Sequence, residues 1–157
     1  MINSKIKTKG DVEGFILYKD GRKEKIEFHN TVLRKGREAL ASSLANNIGD
    51  TYDFYISRML FGDGGTSSGI PKFVNTERNG LFGFTRAVKP VIATIDPNLQ
   101  SQVILTSILD YDEAVGFTLN EMALQMNNGD LYSMSTFADL NKTSLMQITW
   151  NWKISFI

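Results

Sequence analysis

The stretch "SLMQITWNWKISFI" (144–157) alternates without a break. Met146, Ile148, Trp150, Trp152, Ile154 and Phe156 are apolar, and Gln147, Thr149, Asn151, Lys153 and Ser155 between them are polar. A strict period of two marks a β-strand with one face in a core and the other in solvent. Burying six such side chains at about 1.5–3 kcal/mol each gives on the order of 10 kcal/mol before conformational entropy is charged. A strand this apolar on one face, carrying both tryptophans of the chain, is expected to pair on both sides in mid-sheet. It reads as the keystone of a two-layer core.

The remaining segments supply the partners. "VEGFILYKDGRKEKIEFHNTV" predicts a β-hairpin, with Val12–Tyr18 and Lys23–Phe28 flanking an Asp-Gly turn that accepts positive φ angles. "NTVLRKGREALASSLANNIGD" changes period and predicts a helix over about 32–46. Leu33, Leu40 and Leu44 fall on one face with Gly36 and Ala41 near it, Asn30 or Thr31 caps the start, and Gly49 provides the stop. "FYISRMLFGDGGTSSGIP" predicts a strand entering a glycine-rich and aromatic loop region over about 62–84, of which 70–84 is irregular and rich in Phe. Further strands are predicted at Thr85–Ile95, Gln102–Leu109, Thr118–Met126, Leu131–Phe137 and Leu145–Phe156. The sum is a mainly β single domain over 1–157. It is an antiparallel β-sandwich of seven or eight strands with one helix inserted near the N-terminus.

Bulk composition removes several function classes. The chain has 157 residues and no cysteine, so disulfides, thiolate metal sites and cysteine nucleophiles are excluded. Seventeen Lys and Arg balance seventeen Asp and Glu, which disfavours a phosphate backbone as partner. No apolar run approaches a bilayer span, and the opening "MINSKIKTKGDVEG" lacks the apolar core of a secretory leader. Charge is uneven: residues 1–35 hold nine basic and five acidic side chains, and 36–157 hold eight and twelve. A lysine-decorated edge hairpin explains this more economically than a basic face meeting an acidic neighbour.

The candidate chemistry is sparse. "FGDGGTSSG" (61–69) lacks the Gly-Lys-Ser/Thr ending and the following helix of a phosphate-binding loop. It reads as a turning loop whose functional use would be assembly. His29, the sole histidine, has no visible partner for general-base work. "DYDE" (110–113) offers Asp110, Asp112 and Glu113 to a cation, at a spacing that matches no calcium loop. No Gly-x-Ser-x-Gly elbow occurs. Phe73, Phe82 and Phe84 either plug an open end of the core or face another subunit, and with Tyr111 they would also be the stacking platforms of a glycan-binding module. A metal-dependent hydrolase would have to be built from Asp110, Asp112, Glu113 and His29.

The order of motifs resembles a group of tailed-bacteriophage structural proteins of the tail-fibre or collar type. An "N-x-V … G-x-x-x-[IL]-A" helix start is matched by Asn30, Val32, Gly36 and Leu40, and a "G-x-G-x-T" turn by Gly62, Gly64 and Thr66. An "[IL]-x-E-[IMA]-[AG]-L" strand is matched by Leu119, Glu121, Met122 and Leu124. The "G-x-L-[YF]" hairpin falls on Gly129, Leu131 and Tyr132, and "F-x-x-x-x-K-[TS]" on Phe137, Lys142 and Thr143. The closing "[LIV]-x-[IV]-x-W-x-[IV]-x-[FI]" strand is matched by Ile148, Trp150, Ile154 and Phe156. The resemblance covers about 12–157 and implies a non-enzymatic virion component at tail, baseplate or neck. Capsid decoration is the alternative, and a host-recognition module a second one. It implies no cofactor or metal, other virion proteins and further copies of the chain as partners, and synthesis in the bacterial host cytoplasm. Asp63, Thr66, Phe73, Phe82 and Phe84 are the expected assembly residues.

Overall fold

The computed structural model describes residues 5–45 and 54–157. In chain order the first elements are β1 (Thr8–Tyr18), β2 (Lys23–His29), β3 (Thr31–Val32), α1 (Arg34–Leu44), β4 (Ile56–Gly62), β5 (Thr66–Ser67) and β6 (Ile70–Pro71). They are followed by β7 (Thr85–Pro90), β8 (Ile92–Thr94), β9 (Gln102–Leu109), β10 (Thr118–Met126), β11 (Leu131–Asn141) and β12 (Met146–Phe156). One five-stranded sheet runs β2-β1-β12-β9-β8, a second runs β3-β11-β10-β4-β7, and β5 and β6 form a separate ribbon. Every pairing is antiparallel.

The alternation in β12 is satisfied as its sequence requires. β12 lies third of five, with β1 on one side and β9 on the other. Its even residues Ile148, Trp150, Trp152 and Ile154 are buried against Met59, Phe61, Met122, Leu124 and Phe137 of the second sheet. Trp150 is the hub. Its ring stands 6.1 Å from Phe28, 5.6 Å from Phe61 and 5.8 Å from Phe137, while Phe28 and Phe137 stack at 4.6 Å. Such aromatic pairs add about 0.5–1.5 kcal/mol beyond area burial. Gly14 lies opposite Trp150 in the register, and a Cβ there would approach the indole to 2.9 Å.

The long sides of the sandwich are closed by chain segments that change sheets, as at the corners of orthogonal packings. β2 ends at His29 in the first sheet, and after Asn30 the chain pairs as β3 with β11 in the second. On the opposite side β7 pairs with β4 in the second sheet, and past Val91 the chain pairs as β8 with β9 in the first. The single strand predicted at Thr85–Ile95 is therefore two, broken after Pro90, whose missing N–H suits the end of an edge.

Eight of the twelve strands have six residues or more, and these correspond to the seven or eight predicted. The other four (β3, β5, β6 and β8) have two or three residues, too few for a period to show. β11 runs to Asn141, beyond the predicted Phe137, because Leu140 and Asn141 pair with Leu119 and Thr118 past a bulge. The excess of lysine near the N-terminus decorates edge strand β2 and its neighbour. Lys25 bridges Glu13 and Glu27, and Lys9 meets Asp11. No helix among the described residues is long and apolar enough to cross a membrane.

The helix departs from its sequence reading. Thr31 and Val32 pair with Met134 and Ser133 of β11, so neither Asn30 nor Thr31 caps it. Leu33 takes the N-cap position with no side-chain capping bond. The predicted stop Gly49 lies outside the described residues. Leu44 is 88% exposed, and the buried positions of α1 are the small residues Gly36 and Ala39. Close approach to β11 selects that face: a Cβ on Gly36 would sit 2.4 Å from the carbonyl oxygen of Tyr132. Helix propensity alone favours Gly→Ala by about 1 kcal/mol. We expect Gly36→Ala to destabilise instead, by about 1–3 kcal/mol in urea unfolding, because backbone must move to admit the methyl. Trp150→Ala should cost about 3–5 kcal/mol in the same assay.

Candidate functional site

The second sheet is covered on its outer side by irregular chain. Leu33 at the start of α1 and Val74, with Leu81 and Phe82 packed alongside, cover Leu60, Ala123, Leu131 and Met134 on the outer face of β4, β10 and β11. β10 is thus buried on both faces, which explains the near-continuous apolar run in "LNEMALQM". The exceptions in that run, Asn120 and Glu121, hold the covering loops in place.

Glu121 is fully buried. Its Oε1 accepts from the backbone N–H of Gly64 at 2.9 Å and of Gly83 at 2.8 Å, and its Oε2 accepts from Phe82 N–H at 2.7 Å. One carboxylate therefore ties two loops that lie nineteen residues apart in sequence, Gly64 and Gly83, to one strand. The loops touch each other: a Cβ on Gly64 would lie 2.3 Å from the nitrogen of Gly83. Asn120 acts beside it. Its Oδ1 accepts from Gly65 N–H at 2.7 Å, and its Nδ2 donates to Thr66 Oγ1 and Asp139 Oδ1, each at 3.0 Å. The bonds accepted by the Glu121 and Asp139 carboxylates are charge-assisted and stronger than the neutral ones beside them.

The expected assembly residues divide by this geometry. Asp63 accepts from Phe84 N–H at 3.0 Å and from Arg86 Nε at 2.6 Å. Thr66 donates to Asp139 at 2.7 Å. Phe82 is half-buried, with the Arg78 guanidinium 3.6 Å and the Lys72 ammonium 5.0 Å from its ring centre. These three form the support. Phe84 and Phe73 are 74% and 85% exposed, and the Arg86 guanidinium spans the rings of Phe84 and Phe117. The aromatic segment therefore neither plugs an end of the core nor projects as one patch. Phe82 roofs the second sheet and the other two rings face outward.

The remaining candidates are placed separately. His29 is exposed, with Nδ1 2.7 Å from Asp11 Oδ1. In the acidic loop, Asp110 accepts from Gln147 Nε2 at 2.9 Å, and Glu113 takes Lys89 Nζ at 2.8 and 2.6 Å. The hydrogen bond from Gln147, followed by that from Tyr111 N–H, holds the Asp110 carboxyl below its usual value. Among the described residues no cluster of three or more His, Asp or Glu side chains is placed to hold a metal ion. Tyr111 carries the Lys19 ammonium 5.2 Å from its ring centre.

Lys142, also in the motif pattern, is almost wholly buried. Its Nζ donates to the carbonyls of Asp110 and Thr143 at 2.9 and 3.1 Å, and its backbone pairs with Phe117 and Gly116. Burial lowers its pKa from the ordinary lysine value. In the sequence Glu121 and Lys142 stood out only as letters of the motif pattern, and Asn120 not at all.

Two measurements probe the latch. Glu121→Gln keeps the shape but aims an amide NH₂ at N–H donors. It should cost about 1–3 kcal/mol in urea unfolding and expose Lys72 and Arg78 to trypsin earlier. Hydrogen bonds from Asn120, then Thr66, hold the Asp139 carboxyl below its usual value, so folding favours its ionised form. That contribution is complete above the ordinary carboxylate range and fades as pH falls through the lowered folded-state value. The melting-temperature gap between wild type and Asp139→Asn should accordingly narrow on acidification.

Comparison with known proteins adds the lineage. The family described as phage tail-collar fibre protein, N-terminal, matches residues 25–154, most of the chain. The match begins within β2, so β1 precedes it, and it includes both tryptophans, Glu121 and Lys142. No curated protein and no solved structure matches the chain. Its two-sheet core, and the buried glutamate that pins its glycine-rich turn, are thus those of a member, and the chain belongs to the phage tail-collar fibre protein N-terminal family.

Proposed function

We propose that this domain is a non-enzymatic structural part of the phage particle, seated at the tail, baseplate or neck, where it joins other virion proteins and further copies of itself. Membership of the tail-collar fibre family carries this reading. The geometry supports it. The two buried charged side chains among the described residues hold backbone in place: the Glu121 carboxylate accepts from three amides, and Lys142 donates to two carbonyls. A rigid scaffold that fixes irregular loops is suited to presenting a contact surface.

In this reading Phe73 and Phe84 are the contact side chains, while Asp63, Thr66 and Phe82 position them. Exposed aromatic rings are enriched at protein interfaces. The test is location. Particles purified to homogeneity should contain the protein by mass spectrometry, at a copy number set by the low symmetry of a tail. A copy number matching the head shell would favour capsid decoration, and absence from particles would end the proposal. Phe73→Ser with Phe84→Ser should reduce incorporation while leaving the melting temperature nearly unchanged, since both rings are exposed. Glycan-array binding that is lost with Phe84 would favour a host-recognition module instead.

A further inference from the structure

When Asn or Asp precedes Gly, the glycine nitrogen can attack the neighbouring side chain, because no Cβ obstructs its approach. The chain holds four such pairs: Asp20-Gly21, Asp63-Gly64, Asn79-Gly80 and Asn128-Gly129. The attacking atom is the glycine nitrogen, so the reactivity of each pair depends on where that N–H is committed. Gly21 N–H donates to the Tyr18 carbonyl, Gly129 N–H to the Met126 carbonyl and Gly64 N–H to Glu121 Oε1, each at 2.9 Å. Gly80 N–H alone makes no hydrogen bond among the described residues.

The two asparagines differ in the same way. Asn128 is held in the turn between β10 and β11, where its Oδ1 accepts from Asp130 N–H at 2.9 Å and its Nδ2 donates to Asp130 Oδ2 at 3.4 Å. Gly129 closes that turn at a φ of 96°. Asn79 is exposed on irregular chain, and its side chain makes no hydrogen bond among the described residues. The space beside Gly80 is open, with no atom within 4 Å of a Cβ built there. No hydrogen bond among the described residues has to break before the Asn79 side chain turns onto the Gly80 nitrogen.

We propose that Asn79 is a site of spontaneous deamidation, selected by the fold over Asn128. The Gly80 nitrogen gives its proton to solvent and attacks Cγ of Asn79. The bond from Cγ to Nδ2 breaks, and Nδ2 takes up a proton and leaves as ammonia. Water then opens the cyclic imide at either carbonyl, giving aspartate or isoaspartate, each with a new negative charge. Isoaspartate also routes the backbone through the side chain and lengthens it by a methylene. The insertion falls beside the carbonyls of Gly80 and Leu81, which the Arg78 guanidinium holds at 3.2 and 3.1 Å. Those residues lead into Phe82 and Gly83, whose amides donate to Glu121. The modification therefore loosens the roof of the second sheet from its buried carboxylate. The reaction needs only water, so it does not rest on the tail role.

The test is peptide mapping by mass spectrometry after the full chain has stood in mildly alkaline buffer, folded and in guanidinium. In the folded chain Asn79 should deamidate about tenfold faster than Asn128, the difference one committed hydrogen bond makes. In guanidinium the two rates should converge. Gly80→Ala enters open space at a φ outside the left-handed region, so it should slow the reaction at Asn79 and leave the melting temperature nearly unchanged. No reaction at Asn79, equal or faster reaction at Asn128 in the folded chain, or a rate ratio that survives unfolding would each overturn the proposal. The deamidated chain, separated by its added charge, should show faster amide exchange at Phe82 and Gly83, whereas Asn79→Asp, which changes charge alone, should exchange like wild type. Unchanged exchange in the deamidated chain would overturn the coupling to Glu121.

Discussion

The indole of Trp150 lies where the two sheets meet, and the rest of the molecule is arranged around it. Rings from β2, β4 and β11 surround it, so one side chain of the first sheet touches both the edge of its own sheet and the middle of the other. Gly14 is small because the indole occupies the space a side chain would need. The packing is strong enough to leave the indole N–H groups of Trp150 and Trp152 buried without acceptors among the described residues, at a cost of about 1–3 kcal/mol each. Two centrally paired tryptophans can bear that cost because the apolar area they remove from water exceeds it.

Around this core the chain solves the problem of sheet edges by moving between layers. The turn at Asn30 and the break after Pro90 each hand one segment from one sheet to the other, so two of the four edges continue covalently into the other two. The outer face of the second sheet is then closed by irregular chain rather than by a third layer. That solution works because Glu121 and Asn120 satisfy the backbone amides of the covering loops from below. The irregular covering loops are thereby tied to β10 at four backbone amides.

Much of this was legible beforehand. The alternation of β12, the Asp-Gly hairpin and the strands at Gln102–Leu109 and Thr118–Met126 could be read directly, because period and turn chemistry are local properties. The helix face was read in part: Leu33 and Leu40 pack inward with Gly36 as expected, but Leu44 is exposed and Ala39 is buried instead, and the close approach to Tyr132 falls at Gly36. The Phe-rich segment was read as one aromatic unit, yet Phe82 roofs the sheet while Phe73 and Phe84 face solvent. Glu121 was visible only as a motif letter. That it is a buried acceptor for amides 38 to 57 residues distant in sequence depends on loops that no local pattern describes.

The sequence by itself determined the strand periods, the single early helix, the balance of charge and the order of motifs shared with the tail-fibre family. These follow from side-chain chemistry acting over a few residues. Only the tertiary structure decided that Thr85–Thr94 serves both sheets and that the glycine-rich turn is fastened to a buried carboxylate. Each of these depends on distances between segments far apart in the chain, set by how the two sheets pack about Trp150.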